Sequence, residues 1–491
     1  MMSSHGKSDS AIVPEKSPNK AIERAAEAME GRGLVKGKTL EQTTLRTQRR
    51  GGVPSALERI RKAARKDRKQ RFTTLLHHVY GVERLRESYF WLKREAAPGI
   101  DGETWHQYGE RLGENLQDLS GRLKRGAYRA RPGQRVYIPK ADGRKRPIGV
   151  LVLEDKIVQR ATAEVMGAIY EQDFLGFSYG FRPGRSAHQA LDALTVGLMT
   201  KKVNWVLDAD IRGFFDTLDH GWLVKFVGHR MGDRRIVRLI RKWLKAGVLE
   251  EGKRIQKEVG TVQGGSISPL LANIYLHYGF DLWVQQWRKR EAQGEVIVVR
   301  YSDDFIVGFQ HRHEAERFLV ALQERLRGFG LELHPEKTRI LEFGRFARED
   351  RNRRGERKPE TFTFLGFTHI CSETRKGVFT VLRKTMRTRR QAKLREVYLE
   401  LRRRMHNPIP EQGAYVRSVV GGHIRYYGVP RNGPSISAFR KEVCKLWWKA
   451  LKRRSHKHRL VWGRMKRLMD RWLPSARVCH PYPLARLGVI T

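Results

Sequence analysis

VIVVRYSDDFIVGF, residues 296 to 309, sets two adjacent aspartates in the middle of a run that otherwise reads as buried. Two ionised carboxylates in contact repel and burial raises the cost, so such a pair usually shares a proton or holds a cation. The flanking apolar runs read as two strands with a turn at Ser302 to Asp304. Service as plain turn residues is the commoner fate of an Asp pair. A second aspartate-bearing strand weighs against it here. WVLDADIRGFF, residues 205 to 215, places Asp208 and Asp210 on one face, because strand side chains alternate with period two. Neighbouring strands of this kind would bring the carboxylates within reach of two cations about 3.5 to 4 Å apart, the arrangement used for nucleotidyl transfer.

Outward from these strands, patterns of both periods alternate. HEAERFLVALQERLRGFG is amphipathic with helical spacing, as are EDKIVQRATAEVMGAIY and the segment beginning near Ser186. RPGQRVYIPKADGRKRPIGVLV, from Arg131 to Val152, reads as two short strands around an ADG turn and is dense in Lys and Arg, a basic hairpin. GVLEEGKRIQKEVG reads as another hairpin. From Val381 to about Leu473 the chain is nearly all helical pattern, strongly basic and studded with Tyr and Trp. That shift marks a domain boundary. Residues 1–55 are polar and basic with one short helical pattern, AIERAAEAME, and read as a flexible extension that orders only on binding.

The chain has 491 residues with Lys+Arg 98 against Asp+Glu 52, a net charge of +46 that calls for a polyanionic partner held through phosphate contacts. RNA or DNA leads. No apolar run approaches the roughly 18 residues of a spanning helix, so a membrane is not expected. The three cysteines, Cys371, Cys444 and Cys479, are odd in number and far apart, against a disulfide framework or a CxxC zinc site. With no apolar leader at the N-terminus, the reading is a cytoplasmic bacterial protein associated with the nucleoid.

RPIGV (146–150), GFRPGRSAHQAL (180–191), ADIRGFFDTLDH (209–220), GTVQGGSISPLLANIYLH (260–277), YSDD (301–304), LELHPEKTRI (331–340) and FLGF (364–367) follow one another in the order of the sequence blocks of group II intron reverse transcriptases, and GGHIRYYGV (421–429) resembles the maturase, or thumb, domain that follows in that family. The resemblance covers roughly residues 70 to 485. It implies an α+β right-hand polymerase, fingers and palm with an antiparallel sheet over 56–375, followed by an all-α thumb/maturase domain over 376–450. Residues 451–491 would form a basic C-terminal segment and a candidate DNA-binding element.

By the same resemblance Asp210 and Asp303 would be the main ligands of two Mg²⁺ ions, with Asp304 beside them and the Ile211 carbonyl completing a site; hard oxygen donors suit Mg²⁺. Asp208 matches no ligand of the family. Phe215 would be the aromatic gate that clashes with a 2′-hydroxyl, and Gln263 would lie against the incoming nucleotide. Lys140 and Arg146 would grip its triphosphate. Without the resemblance, Phe215 reads as core packing beside Phe214, and either cation as part of a solvated basic face on which Arg144 and Lys145 are neighbours. Lys337 is a weaker candidate near the site. Asp216 and Asp219 read as residues that start a helix. Arg425, Tyr426 and Tyr427 would bind RNA, cations on phosphates and rings on bases; Trp447 and Trp448 read instead as core.

Two small departures, Ser302 for the family's Ala and Val262 for its Pro, leave those contacts in place. With no Cys/His-rich module after the thumb, the chain resembles the endonuclease-lacking branch. The implied activity is RNA-directed DNA polymerisation together with splicing assistance, with intron RNA, a DNA target and primer, and dNTPs as partners. The alternatives are an RNA-binding splicing chaperone with little polymerase activity, or a free-standing reverse transcriptase in host defence or repair.

Overall fold

The computed structural model describes residues 53–139, 145–250, 253–255, 259–261, 264–356, 358–454 and 461–486. The basic hairpin forms as the sequence predicts, β1 (Gly133–Pro139) against β2 (Lys145–Val150), with Ile138 opposite Arg146. After β3 (Trp205–Asp210) come β4 (Val248–Glu250) and β5 (Lys253–Ile255), which join the hairpin in a sheet of order β2-β1-β4-β5. Its β1–β4 pairing is parallel, so this sheet is mixed rather than antiparallel throughout.

The decisive sheet contains β3, β6 (Val296–Tyr301), β7 (Asp304–Phe309) and β8 (Arg339–Glu342) in the order β6-β7-β3-β8, every pairing antiparallel. Helix Ala187–Thr200 covers one face, where Ile297, Val299, Ile306 and Val206 are buried. Helix Arg312–Arg327 packs against the other face, its Ala315, Phe318, Leu322 and Leu326 recurring every three or four residues against Val298, Phe305 and Val307. Cover on both faces is why β6 and β7 read as continuous apolar runs rather than alternating ones. A Ser186–Gln189 capping box starts the first of these helices and satisfies end amides that would otherwise lack partners.

A third sheet, β11-β10-β9, consists of β9 (Phe362–Phe364), β10 (Phe367–Glu373) and β11 (Phe379–Thr385). The expected boundary at 376 therefore falls inside the β10–β11 hairpin, and Val381 lies on a strand. The arginine and lysine in FTVLRKT gave that strand the composition of the basic helices after it. Helices begin at Arg387 and run Arg387–Arg403, Ile409–Tyr427, Gly433–Lys452 and Trp462–Trp472 around their own core of Val397, Val416, Val420, Phe439 and Trp447. The second expected boundary, at 450, cuts the third of them. Trp447 is buried and donates from Nε1 to Gln412 Oε1 at 3.0 Å, whereas Trp448 is half-buried and edge-on to Trp462. The first described helix, Val53–Lys66, begins within the segment read as an extension, of which residues 1–52 lie outside the described residues. No helix among the described residues is long and apolar enough to cross a membrane.

Candidate active site

Register decides the site. Antiparallel pairing of β3 with β7 sets Asp210 directly opposite Asp304, and Asp208, two residues back on the same face of β3, lies opposite Ile306. The β6–β7 turn consists of Ser302 and Asp303, shorter by one residue than the sequence reading, because Asp304 already pairs with Tyr301. Ser302 takes φ of 60°, the positive value at the first central position that suits a two-residue hairpin loop. Asp303 thus projects from the tip while Asp304 and Asp210 face each other below it.

On the far side of β3 the LELHPEKT segment is tied to the same strand end. His334 N donates to the Asp210 carbonyl at 2.8 Å and Arg212 N to the Glu332 carbonyl at 2.8 Å, bracketing an antiparallel bridge between Ile211 and Leu333. That bridge engages groups on either side of Ile211, so the Ile211 carbonyl points away from Leu333. Lys337 Nζ donates to Asp210 Oδ2. Lys337 therefore touches the carboxylate cluster, a closer engagement than its sequence signal implied.

The electrostatics follow from this crowding. Burial first, then the charges of Asp303, Asp208 and Asp210, push Asp304 well above the usual carboxylate range, with Arg389 opposing. Burial also pushes Asp208 up to about 6, despite its ion pair with Arg339 at 3.5 Å. Four carboxylates at one sheet end are a set of hard oxygen donors whose mutual repulsion a cation relieves. Among the described residues no group of three or more His, Cys, Asp or Glu side chains is placed so that it could hold a metal ion. Mg²⁺ does not demand one, since it is ordinarily held by one or two carboxylates plus substrate phosphates and water. Carboxylate oxygens are the hard donors that Mg²⁺ takes.

Phe215 lies in the short helix Phe214–Thr217, half-buried, while Phe214 is buried edge-on to it at 5.4 Å. The Phe215 carbonyl accepts from Thr261 N at 2.7 Å, which ties the GTVQGG loop to this helix. The same loop passes close to the basic hairpin. At Gly264, φ is 112° and a Cβ would lie 2.8 Å from the Gly149 carbonyl of β2, so glycine is required twice over. Gln263 and Lys140 lie outside the described residues. Asp219 accepts from Trp222 N at 2.7 Å as the cap of helix His220–Gly228, and Asp216 sits in the first turn of the Phe214–Thr217 helix.

The RNA-binding expectation for Tyr426 and Tyr427 is corrected. Both rings are buried, at 5% and 3% exposure, packed on Phe367 of β10. Tyr426 Oη donates to the Leu365 carbonyl at 2.9 Å. They join the C-terminal helices to the third sheet, because an aromatic pair on an amphipathic helix serves its inner face as readily as its outer one. Arg425 between the helix turns is exposed. Sequence reasoning also passed over Arg300, whose signal is an arginine inside an apolar strand; it is fully buried directly beneath the Ser302–Asp303 turn.

A family model for reverse transcriptase (RNA-dependent DNA polymerase) matches residues 138–369. The chain is similar to Protein YkfC of Escherichia coli, 35% identical over 321 residues, 58% of this chain and 79% of that protein. It is similar to the group II intron-encoded protein LtrA of Lactococcus lactis, 32% identical over 306 residues, 59% of this chain and 50% of LtrA. An uncharacterized 91 kDa protein in the cob intron of Schizosaccharomyces pombe is 43% identical over 155 residues, 32% of this chain and 19% of that protein. The chain thus spans about half the length of LtrA.

Proposed function

Because the chain belongs to the group II intron reverse transcriptase and maturase family, we propose that it copies intron RNA into DNA at the Asp210, Asp303 and Asp304 cluster and assists the splicing of that RNA. The observation that carries this reading is the pairing of Asp210 with Asp304 beneath Asp303 at the tip of a tight turn. Two Mg²⁺ ions held there, by these three aspartates and the Ile211 carbonyl, would activate the primer 3′-hydroxyl and steady the departing pyrophosphate.

The other roles belong to the chain's own groups. Lys337, on Asp210, is placed to follow negative charge when phosphates enter. Phe215, half-buried two residues past the turn at Gly213, supplies the surface beneath the sugar. The β1–β2 hairpin, with Lys140 and Arg146, and the Gln263 loop would close over the nucleotide; the contact of Gly264 with β2 supports their acting together. In right-hand terms the β1–β2 sheet belongs to the fingers, the β6-β7-β3-β8 sheet is the palm, and the helices from Arg387 are the thumb and maturase surface, with Arg425 among their phosphate contacts and the segment after 451 a candidate DNA-binding element.

The test is primer extension on an RNA template with Mg²⁺ and dNTPs. Extension by wild type, lost in Asp303→Ala while RNA affinity is kept, is the expected result; no extension by folded, RNA-binding wild type would leave the splicing chaperone as the reading.

A further inference from the structure

Arg300 ends the buried part of β6, two residues before the Ser302–Asp303 turn, and is fully buried. Its guanidinium has five N–H donors and the structure gives each an acceptor. Nε and Nη2 grip Asp281 at 2.7 and 2.5 Å, Nη1 reaches Asn273 Oδ1 at 3.1 Å and the Ser302 carbonyl at 2.9 Å, and Nη2 also reaches Ser178 Oγ at 2.8 Å. Asp281 is equally buried and closes a π-helical turn, His277–Asp281, that interrupts an otherwise α-helical run. Such turns are rare and concentrate at functional sites.

The network extends to the segment that packs on the turn. Asn273 Nδ2 donates to the Gly180 carbonyl at 2.7 Å. A Cβ on Gly180 would lie 2.4 Å from Ser302 N, so that backbone lies flush against the turn. Backbone bonds from Arg300 N to the Phe177 carbonyl and from Tyr179 N to the Arg300 carbonyl, both 2.8 Å, fix the register of the two segments.

A buried ion pair is weak evidence for stability, because an apolar pair of similar volume usually serves as well. Here the pair also holds the carbonyl of a left-handed residue in the loop that carries Asp303. We infer that Arg300 is a positioning residue which, through the Ser302 carbonyl, sets the turn that aims Asp303 and Asp304 at Asp210. The inference rests on the proposed role of those aspartates.

Two variants test it. Arg300→Met/Asp281→Leu removes both charges together and keeps apolar volume, so no uncompensated charge is left buried. Arg300→Lys keeps the charge and loses the fork. Mn²⁺ binding is followed by electron paramagnetic resonance without nucleic acid, beside the melting temperature, RNA affinity and primer extension. In the double variant RNA affinity is expected to stay near wild type and the melting temperature to fall, because Asn273 Oδ1, Ser178 Oγ and the Ser302 carbonyl lose their donor. In the protein that remains folded, Mn²⁺ binding is expected to weaken at least tenfold and extension to fall at least a hundredfold. Arg300→Lys should lie between, with extension partly restored by raised Mg²⁺. Wild-type Mn²⁺ binding and extension in the double variant overturn the inference; should that variant fail to fold, the same result in Arg300→Lys overturns it. Asp303→Ala, run in parallel, separates the two claims. If it retains Mn²⁺ binding and extension, the reading of the carboxylate site fails; if it loses both while the Arg300 variants do not, only the positioning role fails.

Discussion

Lys337 donates from Nζ to Oδ2 of Asp210, so one carboxylate of the cluster already carries a cationic partner from the chain itself. The two side chains are 48% and 28% exposed, and an ion pair this accessible is worth no more than about 1 kcal/mol. A cation entering at Asp210 must displace that ammonium or share the oxygen with it. In Lys337→Met the Mg²⁺ concentration that half-saturates primer extension should therefore fall, by no more than ~5-fold on the same energy scale. A Mg²⁺ titration of the extension rate checks this; an unchanged or higher midpoint means that the ammonium does not compete.

Asp304 takes the opposite sign from an ordinary paired carboxylate. Its pKa in the fold is raised, so the native state holds its proton more tightly than the unfolded chain, and stability is lost as pH climbs from the usual carboxylate range of about 4 toward the raised value. Asp304→Asn removes the ionisation. Thermal melts between pH 4.5 and 8 without divalent ions should show wild type losing ground to the variant as pH rises, and added Mg²⁺ should recover wild type more than the variant. A gap that does not depend on pH would mean that Asp304 feels no net repulsion.

The shared face of Asp208 and Asp210 was legible in the sequence because period-two alternation leaves little freedom. Asp304, read there as part of the turn, joins that face because the turn is one residue shorter. Once β3 and β7 pair, Asp208, Asp210 and Asp304 fall on one side by geometry alone. The helix covering the sheet at Arg312–Arg327 was legible from its spacing. What escaped was long-range. Nothing local to Arg300 names Asp281, Asn273 and Ser178 as its acceptors, and nothing local to RYYGV says which side of its helix meets β10. β11 escaped because its alternating pattern carries an arginine and a lysine, one buried and one exposed.

Phe215 bears on nucleotide choice. Its ring is half-buried and its carbonyl is spent on Thr261, so a smaller side chain opens space at the loop without removing that hydrogen bond. If the ring excludes a 2′-hydroxyl, Phe215→Ala should lower discrimination against ribonucleotides by at least about tenfold, in the range that one buried contact can supply. The ratio of kcat/KM for a dNTP and its matching rNTP reads it out, and equal loss for both would make the residue simple packing.

Tyr426 and Arg425 separate stability from binding. Tyr426→Phe removes one hydrogen bond, to the Leu365 carbonyl, at a cost of about 1 kcal/mol, and RNA affinity should not change because the ring is buried. Arg425→Ala should leave the melting temperature in place, weaken RNA binding across sequences, and lower the slope of log affinity against log salt by about 1. Titrations at several salt concentrations distinguish them. A loss of RNA affinity in Tyr426→Phe would require the C-terminal helices to rearrange when RNA binds.

Ser302 combines two costs at one position. Its φ is 60°, in the left-handed region, and its hydroxyl is buried with no hydrogen-bond partner among the described residues. An unsatisfied buried polar group costs about 1 to 3 kcal/mol. Ser302→Ala removes that cost and keeps the backbone strain; Ser302→Gly removes both and adds freedom to the unfolded chain. Both should melt above wild type. Because glycine returns part of its gain as chain entropy, the alanine variant should gain nearly as much as the glycine one. A melting temperature below wild type in Ser302→Ala would show that the hydroxyl holds a water or ion in the turn, and would make it a positioning group beside Arg300.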